Sequence, residues 1–330
     1  MNLRVITCLV ISLVLCVAGC QRTFIPSSNT DPLAIDPQFQ KMGIENSISL
    51  AYHSLTSPAA NWNFVELNSS DTYRDKDTFH VLNSQIAIGQ KKLACLEGIG
   101  HVNDAIRLMN RFKVDEDDLA RLQMAELRFL RGHFSFELQR IADVTTFMEQ
   151  SQVRQSWSQI EADFKAAATS LPDSGSRQPG MPGRFAAWAY LAKTYIYQKK
   201  WTEAIKAADE VIHKGGYSLM ADFADVFLPE NENNPEIVFA IQYVDEEADV
   251  GHFYVIRYPD VLLWRAEAAI ELADYETGRQ LINQVSRRAR DGRKNQKAGL
   301  VASYKIEEYS TLFDCYECAI DVLNDERRLY

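Results

Sequence analysis

Apolar positions recur along this chain at helical spacing almost throughout its body. Between residues 115 and 140 the acids Asp115, Glu116, Asp117 and Asp118 come first, where negative charge suits the positive end of a helix dipole. Leu119, Leu122, Phe129, Leu130 and Phe136 then fall near one face, as a helix with one buried stripe requires. Residues 151–171 repeat the pattern with Trp157, Ile160, Phe164, Ala167, Ala168 and Leu171, and Pro172 stops it. Three prolines and three glycines in Pro172–Gly183 mark an exposed loop, and Leu228–Asn234 is a second break. Glu236–Val244 is rich in β-branched and aromatic residues and predicts a short strand.

Within this pattern lies an internal repeat. Trp188, Leu191, Ala192 and Tyr195, followed by Trp201 and Ala204, match the spacing of a tetratricopeptide unit. Adding 74 to these numbers gives Leu262, Arg265, Ala266, Ala269, Tyr275 and Gly278. The small residues let two helices approach closely, and the aromatic at the turn plugs the end of the pair. Helix pairs are therefore expected near 184–214 and 256–290, with two further pairs within 82–140 and 151–171. The fold class expected is mostly α: stacked tetratricopeptide-like helix pairs, a loop-rich N-terminal part and little strand. Trp157, Trp188, Trp201 and Trp264 are expected in its core.

The amino terminus has a different pattern. Arg4 precedes the apolar run Val5–Val17, which is shorter than the roughly 20 residues of a membrane span and fits a secretory signal. Val17-Ala18-Gly19-Cys20 resembles the bacterial lipoprotein box, which implies cleavage before Cys20 and its acylation. The expected organisation is a signal over 1–19, a lipidated tether over 20–37 carrying Pro26, Pro32 and Pro37, and one helical domain over 38–330. The mature chain would have 311 residues (330 − 19) and net charge −11, since Arg4 leaves with the signal.

Composition narrows the function classes. Hydrophobic residues make up 46% and charged residues 24% of 330, which is globular, and a net charge of −10 argues against a nucleic-acid partner. Of six cysteines, Cys8 and Cys16 leave with the signal and Cys20 is acylated. The remaining Cys95, Cys315 and Cys318 are odd in number, so no disulfide framework is expected. Cys315-x-x-Cys318 has redox or metal spacing but no second pair, and reads as two apolar helix residues. The histidines are scattered, so no metal site is expected. The acidic run Asp245, Glu246, Glu247 and Asp249 lacks calcium-loop spacing and reads as a solvated loop.

Seven blocks, in order, resemble the SusD/RagB family of outer-membrane lipoproteins. They are Asn68–Asp71, Ala125–Gly132, Trp157–Asp163 with Leu171-Pro172, Gly183–Ala187, Ile256–Ala268 (IRYPDVLLWRAEA), Tyr304–Tyr309 and Asp325–Arg328. The resemblance implies a binding protein at the cell surface. It would capture oligosaccharide or another nutrient and sit as a lid on a SusC-like TonB-dependent transporter, with no catalysis and no cofactor. Family members carry a long insertion where this chain has only Asp245–Tyr254, and they continue beyond the point where it stops at Tyr330. Pro259 stands in place of the usual alanine, in a first helical turn where proline is tolerated. A short form of the family is expected, with its helical scaffold kept.

Sugars stack their apolar faces on aromatic rings, each worth about 0.5–1.5 kcal/mol beyond area burial, while amides and carboxylates take the hydroxyls. A millimolar site needs only about −4 kcal/mol, so two or three rings suffice. Asn61–His80 mixes such groups on loops, and Trp62, Asn68, Asp71, Tyr73, Phe79 and His80 are its candidate ligand residues. The competing classes are a helical-repeat scaffold lipoprotein mediating protein–protein contacts in the envelope, and a glycan hydrolase, which needs a carboxyl pair across a cleft.

Overall fold

The computed structural model describes residues 37–57, 78–112, 118–145, 156–173, 180–244 and 250–295, then 308–310, 313 and 315–328. The chain divides into two units, Met1–Lys41 and Met42–Tyr330. Of the first, only residues 37–41 are described; they begin helix α1 (Pro37–Thr56). Cys20 and the proposed signal and tether lie outside the described residues.

The second unit is a succession of helices, each packed on the next. α2 (Thr78–Phe112) lies against α3 (Asp118–Thr145), α3 against α4 (Trp157–Ser170), and α4 against α5 (Arg184–Tyr197). α5 pairs with α6 (Trp201–Lys214), α6 meets α7 (Tyr258–Glu271), and α7 pairs with α8 (Tyr275–Asn295). α9 (Tyr316–Arg328) closes the series on α7 and α8. Among the described residues, the sheet consists of one hairpin, β1 (Ile237–Val244) and β2 (Val250–Arg257). This is the mostly helical, strand-poor class the sequence predicts.

The 74-residue repeat is structural down to its hydrogen bonds. α5 and α7 start at Arg184 and Tyr258, and α6 and α8 at Trp201 and Tyr275; both steps are 74. In the first turn Lys200 N–H donates to the Tyr195 carbonyl at 2.9 Å; in the second, Asp274 N–H donates to the Ala269 carbonyl at 2.8 Å. Lys199 and Ala273 occupy the same place in the two turns, and both are left-handed, with φ of 57° and 63°. The turn thus ends one helix and reverses the chain with its carbonyls satisfied. Ala204 is buried in the first pair; its counterpart Gly278 sits where an added Cβ would lie 2.6 Å from Ile270 Cγ1.

Aromatic rings fill the centre. Phe129 and Phe136 on α3, Phe164 on α4, Tyr190 on α5 and Phe239 on β1 meet, with Phe164 stacked on Tyr190 at 4.7 Å and Phe239 edge-on to Phe129 at 5.0 Å. Trp157, Trp188, Trp201 and Trp264 pack against this core while staying partly exposed. Charge pairs join successive layers. Arg131 on α3 grips the fully buried Asp163 carboxylate on α4 with two hydrogen bonds of 2.8 and 2.7 Å. Glu161 on α4 takes Gln198 and Lys200 from the next turn, Arg265 on α7 holds Asp209 on α6 at 2.8 Å, and Arg327 on α9 holds Glu267.

Four expectations need correction. Leu119, placed on the buried stripe of α3, is 54% exposed, because periodicity fixes the phase of a stripe and not how far a neighbour covers it. Residues 157–170 form one helix sandwiched between α3 and α5 rather than a pair of their own. A second strand, β2, occupies Val250–Arg257, where only one short strand, Glu236–Val244, is expected. Cys318 lies in α9 as expected, but it is exposed and joined by a disulfide to Cys315, just before the helix, rather than packed as an apolar residue.

Candidate ligand-binding site

The candidates Trp62, Asn68, Asp71 and Tyr73 lie outside the described residues. Phe79 and His80 fall in the first turn of α2, and their side chains also lie outside them. The described residues instead bring together a second set, between α6 and β2, where the sequence marks only a break at Leu228–Asn234 and a strand at Glu236–Val244.

This segment is held by hydrogen bonds its own sequence supplies. Two short 3-10 turns, Ala224–Phe227 and Pro229–Asn231, follow one another. Asp222 accepts the Ala224 N–H at 2.9 Å and so caps the first turn. Asn231 donates to the Asp225 carbonyl, and the buried Asn234 donates to the carbonyls of Val226 and Asn231. Asn233 takes a left-handed φ of 58°, which asparagine accepts more readily than most residues. The fully buried Glu236 clasps the whole: its carboxylate accepts from Met220 N–H and from Arg288 of α8, both at 3.0 Å, and its carbonyl accepts from Tyr258 N–H at 2.7 Å.

The clasp positions a shelf of rings. Phe223 and Phe227 meet edge to face at 5.1 Å, and Phe227 meets Tyr254 of β2 at 5.7 Å. Tyr254 stacks with His252, two residues along the same face of the strand, at 6.3 Å and 15°. Arg257 Cζ lies 5.6 Å from the centroids of both Phe223 and Phe227, and Arg288 Cζ lies 5.1 Å from Phe223, so guanidinium faces hold the rings in place. Phe227 remains 46% exposed and the adjacent Leu228 37%.

Polar groups line the same place. Gln242 and His252, cross-strand partners, share a hydrogen bond of 2.8 Å, and Glu232 sits 3.5 Å from the other ring nitrogen of His252. Burial, with the Glu232 charge adding to it, pushes the Tyr254 phenol above its usual range, so its hydroxyl is a proton donor at neutral pH. The arrangement offers flat apolar rings beside a carboxylate, an amide and a phenol.

A second polar cluster is buried and has no such opening. His133 on α3 hydrogen-bonds Tyr190, and Glu137, one turn along, takes Lys91 at 2.8 Å and Arg140 at 2.9 Å. Burial pushes Glu137 up, but Arg140, Lys91 and their neighbours outweigh it and hold the carboxyl well below its usual range. Burial drives His133 down to about 4 and the nearby Cys95 thiol up to about 12. A neutral imidazole and a protonated thiol inside a closed core serve packing. Among the described residues no group of His, Cys, Asp or Glu is placed to hold a metal, and no helix is long and apolar enough to cross a membrane.

This helical series with one hairpin is also the architecture of known proteins. The profile of the SusD family matches residues 235–329, the stretch running from the Glu236 clasp through α9. Over that stretch the chain is similar to the SusD family. A SusD-like protein of Formosa agariphila is 23% identical over 211 residues, 60% of this chain and 36% of that relative, so the match spans about a third of the relative's length. A SusD superfamily protein of Bacteroides vulgatus superposes with a TM-score of 0.66 at 16% identity, covering 87% of this chain and 84% of the other. Surface glycan-binding protein A of Bacteroides uniformis superposes with 0.60 at 14% identity, covering 88% and 85%. The fold is therefore shared with these proteins at low sequence identity.

Proposed function

We propose that this SusD-like chain binds carbohydrate or a related nutrient at the cell surface and passes it to a SusC-like TonB-dependent transporter, without bond chemistry and without a cofactor. The observation that carries the reading is the family match at 235–329 on a chain whose helices follow the SusD architecture over nearly nine-tenths of its length. The glycan-binding name of the Bacteroides uniformis structure supports a carbohydrate ligand. In this reading residues 1–19 are a signal, Cys20 carries lipid on the outer membrane, 20–37 are the tether and 38–330 form one binding domain. Trp62, Asn68, Asp71 and Tyr73 contribute ligand contacts from the segment before α2, and Phe79 and His80 from its first turn.

Three measurements test it. The chain, expressed from its own leader, should label with palmitate and be stripped from whole cells by protease; Cys20→Ser should abolish both. Crosslinking in the membrane should recover a TonB-dependent transporter. A protein that protease does not reach, and that crosslinks only to periplasmic partners, would instead be a scaffold lipoprotein.

A further inference from the structure

We propose that the shelf of Phe227, Tyr254 and Glu232 is a carbohydrate subsite of its own, separate from the segment before α2, and that it takes neutral sugars and turns away uronic and sulfated ones. The inference rests on the capture reading above and adds to it a place and a ligand class.

Three observations carry it. The first is exposure of a ring that the fold holds still. Phe227 is wedged edge-on between Phe223 and Tyr254, at 5.1 and 5.7 Å, with Arg257 at 5.6 Å, yet nearly half of it faces solvent. A fixed, flat, exposed ring loses little entropy when a pyranose lays its C–H face upon it. The second is the hydrogen-bonding edge. Glu232 reaches His252, which stacks on Tyr254, so a carboxylate acceptor and a phenol donor stand beside the rings where equatorial hydroxyls project. The third is charge. Residues 217–256 contain nine acids and no lysine or arginine. The two guanidiniums that follow, Arg257 and Arg288, are buried. A uronate or sulfate at the shelf would meet the exposed Glu232 carboxylate, while the guanidiniums against its rings among the described residues are buried.

The test is calorimetric titration of the mature full-length chain with neutral oligosaccharides (malto-, cello-, xylo-, manno- and galacto-series) and with oligogalacturonate. The wild type should bind at least one neutral series and not the uronate. Phe227→Ala should weaken neutral binding about tenfold, while Phe227→Trp should keep or improve it, which separates loss of a stacking ring from loss of fold. Glu232→Gln should let the uronate bind measurably. If the wild type binds neutral sugar and Phe227→Ala leaves that affinity unchanged, the shelf proposal falls and capture stands. A wild type preferring uronate overturns the ligand class. If neither series binds, capture of carbohydrate and the shelf fall together. A self-association removed by Phe227→Ala, without any sugar effect, would make the shelf a protein contact and overturn the proposal.

Discussion

At the scale of single residues, the buried charges are where this protein is most exposed to mutation. Asp163 is fully buried and depends on the forked guanidinium of Arg131, with Gln159 at 3.2 Å as its remaining support. Arg131→Ala leaves a carboxylate in the core with one amide partner and should cost about 3 kcal/mol, read as a drop in the denaturant midpoint at unchanged slope. His133 gives a pH dependence of definite sign. Its folded value is about 4 against 6.5 unperturbed, so the unfolded chain binds the extra proton first. Stability should therefore hold above pH 6.5 and fall as the pH drops from 6.5 towards 4, by up to about 3 kcal/mol from this group. Thermal melts of the wild type and His133→Phe across that window check it: the variant should lose this part of the slope.

At the scale of elements, the turn shared by the two helix pairs makes opposite predictions for two small residues. Ala273 holds a left-handed φ of 63° that glycine accepts without strain. Ala273→Gly should raise stability by up to about 1 kcal/mol. Gly278, five residues on, lies on α8 against α7, and a Cβ there would meet Ile270 at 2.6 Å. Gly278→Val should cost about 1–3 kcal/mol by overpacking, visible as a lower melting temperature. Of the two, only Gly278 is legible in the sequence. The 74-residue offset aligns Gly278 with Ala204 and marks a small-residue contact. The left-handed Ala273 gives no sequence signal, because a left-handed turn residue is marked by glycine or asparagine and not by alanine. β2 gives a weak signal for a related reason: Val250–Arg257 has no strand-like alternation and follows an acidic run that reads as loop, and only its pairing with β1 makes it a strand.

At the scale of the whole molecule, the chain behaves as a row of neighbours in which each helix meets the next. The Arg131–Asp163 layer and the Gly278–Ile270 layer share no partner and are separated by α5 and α6. Arg131→Ala and Gly278→Val should therefore add to within about 0.5 kcal/mol in the double variant. A larger discrepancy would mean that the layers unfold as one tightly coupled core and not as a stack.

What the sequence determined by itself was whatever depends on near neighbours along the chain. Helical spacing, proline breaks and the 74-residue repeat all act over a few turns, so the helices from α3 to α8 and the class of fold are readable from residue types alone. Tertiary structure alone decided what depends on partners far away. Phe223, Phe227, His252 and Tyr254 look like scattered aromatics in a loop and a linker. They become a shelf because Glu236 draws the loop, α7 and α8 together through Met220, Tyr258 and Arg288. Contacts that span 16 to 52 residues leave no periodic trace, since each end looks like an ordinary polar or aromatic side chain until the fold brings them within 3 Å.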